Sequence, residues 1–162
     1  MKNGFVFLFC TAIFLPVIAF PSGVSGAPAH EPGVRFSDVE GKEWFLSEVR
    51  SAAGTVRFDR EKLEADGFEG IYTASFQEGR LSGMGAPNRF FGPYTAGSNR
   101  SLSIGNMAST LMMAFREPDG LKEHEYFAYL SRVTRWDLRR GVLELYSSGE
   151  DGREAVLVFV RE

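Results

Sequence analysis

The sequence predicts an α+β fold that is mainly antiparallel β, a curved or barrel-like sheet with one main helix packed on it. Three observations carry that expectation. Residues 71–84 and 90–104 each divide around a turn, giving two hairpins in succession, as in a meander. A helix start at Pro118-Asp119-Gly120 leads into an apolar stripe of Tyr126, Phe127 and Leu130, the spacing of a helix face that a sheet must cover. Three strand-like segments then close the chain at 133–138, 142–147 and 155–160.

The elements follow in order. Trp44 and Leu46 alternate with charged or small residues, as do Val56 and Phe58, giving two half-buried strands around Ser51-Ala52-Ala53-Gly54. Residues 59–70 are charged and read either as a helical turn around 62–65, ended by Gly67, or as an exposed loop. Ile71 to Phe76 is β-branched and aromatic, Gln77-Glu78-Gly79 is a tight turn, and 80–84 is the returning strand. The second hairpin turns at Ala96-Gly97-Ser98-Asn99. The helix runs to about Ser131, with Asp119 as cap and Glu123 and Glu125 near the positive end of its dipole. Turns at Arg139-Arg140-Gly141 and 149–152 join the last three strands. The final strand is apolar on both faces and therefore belongs in the centre of the sheet or inside a closed one. The expected core is Trp44, Phe127, Leu130, Trp136, Leu138, Leu143, Leu145, Val158 and Val160.

The N-terminus reads as a processing signal. Lys2 precedes an almost unbroken apolar run over residues 5–20, short for a membrane span and followed at once by Pro, Ser and Gly. Ala27-Pro28-Ala29 fits a cleavage site, with Val24-Ser25-Gly26 as the competing choice and an uncleaved anchor as the alternative. The expected division is a signal peptide over 1–29, a flexible lead-in over 30–41 and one domain over 42–162, exported to the periplasm or secreted, with no stable membrane span after processing. Cys10 is the only cysteine, and Phe9 before it does not suit lipidation. Removal of the signal leaves no thiol, hence no disulfide, Cys-ligated zinc or cysteine nucleophile. About 133 remaining residues are enough for stability by core packing alone.

Composition excludes several function classes. A formal charge of -3 argues against nucleic-acid binding, which calls for a basic face able to displace counterions. Arg132, Arg135, Arg139 and Arg140 cluster as a solvated helix end and turn. The two histidines, His30 and His124, cannot build a His-rich metal site, and His124 sits among charged neighbours as a surface residue would. Gly83, Gly85 and Gly92 lack phosphate-loop spacing. No catalytic residue, metal site or cofactor is expected.

The stretch from Ser82 to Ala114 follows no amphipathic period. It places Ser82-Gly83, then Asn88-Arg89-Phe90, Gly92 and Tyr94, then Met107-Ala108-Ser109-Thr110 with Met112. These motifs, at this separation and with the helix and closing strands after them, resemble the META domain family, that of the heat-shock protein HslJ. The Trp44-x-Leu46 opening is also similar, and the resemblance covers most of residues 42–160. It implies a compact, mainly antiparallel β fold carrying a helix, and an association with bacterial envelopes and stress response rather than with an established reaction. Two cysteines of the family pattern fall at Pro87 and Ala114 here, and both are replaced. Packing of Phe90 and Phe91 against 112–115 is the expected substitute for the linkage such a pair would provide.

The candidate recognition or structural motif is thus Asn88, Arg89, Phe90, Gly92, Tyr94, Met107, Thr110 and Met112. Asn88 is read either as a ligand of loop backbone or as part of a recognition loop. Met107, Met112 and Met113 are read as core filler or as a deformable apolar surface. The function expected is that of a non-enzymatic envelope protein binding a protein or another envelope component. The alternative is a carrier of a small apolar ligand in a β-sheet pocket.

Overall fold

The computed structural model describes residues 33–149 and 151–161, so the expected signal peptide lies outside the described residues. Glu43–Ser51 (β1) and Gly54–Arg57 (β2) form the first hairpin, and Arg60–Ala65 (α1) follows. Asp59 caps α1, its Oδ1 accepting the Lys62 N–H at 3.2 Å. Then come Thr73–Gln77 (β3), Arg80–Met84 (β4), Arg89–Ala96 (β5), Leu102–Ile104 (β6) and Ala108–Ser109 (β7). Glu123–Ser131 (α2), Val133–Arg139 (β8), Val142–Ser148 (β9) and Glu154–Val160 (β10) complete the described chain.

All the strands belong to one antiparallel sheet in the order β6-β5-β4-β3-β1-β10-β9-β8, with β2 beside β1 and β7 beside β5. A bridge between Ser101 and Arg135 brings the two ends of that path together, so the sheet is a nearly closed barrel. Glu78-Gly79 and Arg140-Gly141 take φ of +49°, +77°, +50° and +79°. Two residues of positive φ match the twist of the strands they join, and the glycine adopts that conformation without steric cost.

The interior follows the strand period. Trp44, Leu46 and Val49 of β1, Phe76 of β3, Leu81 of β4, Phe90 and Tyr94 of β5 and Leu143 and Leu145 of β9 are all buried in one cluster. Helix α2 completes the core with Tyr126 and Leu130. The Tyr126 ring lies 5.1 Å from that of Tyr72, and its hydroxyl donates to the Thr73 carbonyl at 2.9 Å. The Tyr72 hydroxyl donates to the Leu121 carbonyl. Burial pushes both phenols up, so they remain neutral donors. Asp137, fully buried, is held by Arg100 and Arg139, each at 2.5 Å.

Four expectations are corrected. The helix begins at Glu123 rather than near Asp119: Gly120 has φ +87°, Leu121 is buried, and Glu125 rather than Asp119 accepts an N-terminal amide, that of Lys122 at 2.6 Å. In β10 the interior residues are Leu157 and Phe159, whereas Val158 is buried outside the main cluster and Val160 is half-buried. Phe127 and Leu138 only border the core. Of the arginine cluster, Arg132 caps α2 and Arg140 is in a turn, but Arg135 and Arg139 lie on β8, the former 3.5 Å over the Tyr146 ring. The residues before β1 add to the core as well: Phe36 stacks on Phe76, Tyr94 and Trp136, and Val39 is fully buried.

Candidate recognition site

The site grows from the loop between β4 and β5. Its chain closes on itself where the Gly85 N–H donates to the Asn88 carbonyl at 2.6 Å. Glu123, the first residue of α2, places its carboxylate inside this loop. Oε1 accepts the amides of Ala86 and Asn88, both at 2.6 Å, and Oε2 accepts the Asn88 side-chain Nδ2 at 2.7 Å. A carboxylate taking three N–H donors makes strong, charge-assisted bonds. A Cβ at Gly85 would stand 2.5 Å from Glu123 Oε1 and 2.8 Å from Phe127 Cζ, so a larger residue there would have to push the bound carboxylate and the ring aside.

Asn88 is 6% exposed and uses its whole side-chain amide. Nδ2 also donates to the Met112 carbonyl at 3.1 Å, while Oδ1 accepts the Met112 N–H at 2.6 Å and the Thr110 hydroxyl at 2.8 Å. The amide orientation is fixed chemically, because an N–H and a carboxylate require opposite ends of it. Thr110 is tied a second time, its Oγ1 accepting the Arg89 N–H at 3.1 Å and its own N–H donating to the Arg89 carbonyl at 3.0 Å. One asparagine therefore fastens three pieces of chain: the 85–88 loop, the start of α2 and the 110–112 segment.

Of the predicted residues, Asn88, Thr110 and Met112 come together in this node. Phe90 lies beneath it, its ring 5.2 Å from Phe127 and 5.9 Å from Tyr126. Met107 covers Gly92, where a Cβ would meet its Cγ at 2.9 Å. Arg89 points to the exposed outer face of β5. Tyr94 is not part of the node: it packs on Phe36 and Phe76, and its hydroxyl donates to Glu40. Glu123, the residue that completes the node, was expected only as a partner of the helix dipole. A carboxylate at a helix start carries no mark in the sequence of the loop amides it will meet.

The methionine segment is where expectation fails most clearly. Leu111 is 97% exposed, Met113 87% and Met112 61%, and Phe115 stands fully clear of the fold. Phe91, 47% exposed, lies on the outer face under the Arg80 guanidinium, 4.2 Å from its ring centroid. The expected packing of Phe90 and Phe91 against 112–115 is absent. The hydrogen-bonded node occupies its place, and Met112 and Met113 are surface rather than core filler.

Outside the barrel, a groove of about 620 Å³ runs along α1 past Phe58, Phe68 and residues 116–119, and one of about 200 Å³ lies between α2 and the β9–β10 turn. Among the described residues no group of three or more His, Cys, Asp or Glu is placed to hold a metal ion. No helix among them is long and apolar enough to cross a membrane.

These features define a small α+β protein whose antiparallel barrel carries a helix and whose polar centre is a scaffold for a loop. The META domain family model matches residues 37–162, and the chain belongs to the META domain family. Its fold is similar to the NMR structure of a protein from Burkholderia xenovorans, with TM-score 0.62 and 20% identity over 89% of this chain and 97% of that one. It is also similar to the crystal structure of a DUF4847 family protein from Bacteroides vulgatus, with TM-score 0.52 and 13% identity over 78% of this chain and 96% of that one. Both likenesses concern the fold alone. No curated protein matches the chain.

Proposed function

We propose that this is an exported bacterial envelope protein that acts by docking rather than by catalysis, with the 111–115 tip as its contact with another envelope component. The observation that supports this most is the tip itself: four large apolar side chains held in water by a segment whose base is fixed. Burying such side chains is favourable by about 1.5–3 kcal/mol each, an upper bound before the costs of association. A fold that leaves them exposed while spending a buried asparagine and a carboxylate on holding their backbone is organised for contact. The META family is not known as catalytic, which agrees with this reading. Carriage of an apolar ligand draws less support, because Trp44, Tyr72, Tyr126, Phe76, Phe90 and Phe159 fill the interior that such a ligand would need.

The experiment is photo-crosslinking in living cells with a reactive amino acid at Met113, compared with one at the exposed Thr95 on the distal part of β5. Adducts with one envelope component from position 113 alone are expected. Identical patterns from both positions, or adducts with cytoplasmic proteins only, would overturn the proposal.

A further inference from the structure

The tip differs from an ordinary apolar patch in shape and in its charged rim. Leu111, Met112, Met113 and Phe115 project from a single pass of chain and are 61% exposed or more, so they form a convex ridge rather than a flat or hollow surface. A protein partner would need a cleft of matching shape to cover such a ridge, whereas the interfacial layer of a bilayer takes up apolar side chains without one. Two arginines stand on the outer face beside it. Arg89 is exposed at the foot of the 110–112 segment, and Arg80 stands over Phe91. The Glu123 carboxylate at the base of the tip is turned inward onto its three N–H donors. Arg116, Glu117 and Asp119 belong to the groove beside α1, where the Arg116 guanidinium donates to the Asp66 carbonyl and lies over the Phe68 ring. The outer face beside the ridge therefore presents Arg80 and Arg89 where it would meet a headgroup layer. Arginine is suited to that place, since its stem lies along apolar surface while its guanidinium binds phosphate in a planar fork.

We propose that the component contacted by the tip is a bilayer carrying anionic phospholipid. Leu111, Met112, Met113 and Phe115 enter the boundary between headgroups and acyl chains, and Arg80 and Arg89 lie at the phosphate level. This rests on the docking function proposed above and names its target. It describes a peripheral contact, made by a loop whose base is held in place by Asn88.

The test places a fluorophore at the tip itself, Phe115→Trp in the otherwise unchanged full chain. Trp44 and Trp136 are buried and do not report on the lipid. With vesicles of mixed phosphatidylglycerol and phosphatidylcholine, the emission of the new tryptophan should move to the blue and be quenched by lipid brominated near the headgroup end of its acyl chains. Added Arg89→Gln should weaken the interaction about fivefold, and raising salt should weaken it further. Added Leu111→Ser with Met113→Ser should abolish it, and because both positions are exposed the fold is retained, as far-UV circular dichroism will show. Unshifted and unquenched emission on these vesicles overturns the proposal. If Met113 then crosslinks to a protein in cells, the docking function stands and the bilayer as target falls; if it crosslinks to nothing, both fall. Equal binding to pure phosphatidylcholine vesicles overturns the role given to the arginines, and with it the anionic target.

Discussion

Asn88 carries more of the site than any other single side chain. Its four side-chain hydrogen bonds join Glu123, Thr110 and both backbone groups of Met112. Removing it leaves those partners to water where they are exposed and unpaired where they are not, so Asn88→Ala should cost about 1–3 kcal/mol of stability by urea titration. Asn88→Asp, nearly the same shape, should cost at least as much at neutral pH, because a carboxylate oxygen would replace the Nδ2 donor that faces Glu123. A loss below about 0.5 kcal/mol in both variants would mean that the node does not hold the loop. Of the site, the sequence makes Asn88 and Thr110 legible as polar residues in a glycine-rich loop and a β-like segment. What it hides is the direction of the methionines. Leu111-Met112-Met113-Ala114-Phe115 has the composition of a buried strand, and only the capture of both Met112 backbone groups by one side chain, which removes them from any ladder, explains why it is not one.

Among elements, β10 shows where periodicity stops being informative. Val156, Leu157, Val158, Phe159 and Val160 are all apolar, so alternation alone cannot say which set faces inward. Pairing decides it: Leu157 sits opposite Val49 on one side and Leu145 on the other, and Phe159 opposite Leu46 and Leu143, all of them interior. Leu157→Ala should therefore cost about 2–5 kcal/mol in a denaturant titration, as for a buried leucine whose cavity cannot collapse. Val160→Ala, at a half-buried position on the other face, should cost under about 1 kcal/mol. Equal losses would mean that the register is shifted by one residue. Helix α2 shows a second limit. Pro118, Asp119 and Gly120 have the residue types of a helix start, yet the chain uses them for a turn that buries Leu121 and delivers Glu123 to the 85–88 loop. Local propensity located the helix; tertiary contacts set its first turn.

At the level of the whole molecule, the two hairpins and the helix were legible because turn residues separate periodic segments, and the central place of β10 followed from its two apolar faces. Closure was harder to read. It depends on a contact between Ser101 and Arg135, far apart in sequence, and on a buried Asp137 whose arginine partners come from β8 and from the segment before β6. The resulting molecule is a packed barrel that fixes the base of one apolar tip and leaves its side chains in solvent. Residue-resolved amide hydrogen exchange tests that claim most directly. The Met112 N–H, bonded to Asn88, should be protected together with the amides of Ala86 and Asn88 that Glu123 accepts, while Leu111, Met113 and Phe115 exchange at rates near those of an open chain. Protection of residues 111–115 to the level of the barrel strands, or exchange at Met112 as fast as at Met113, would contradict it.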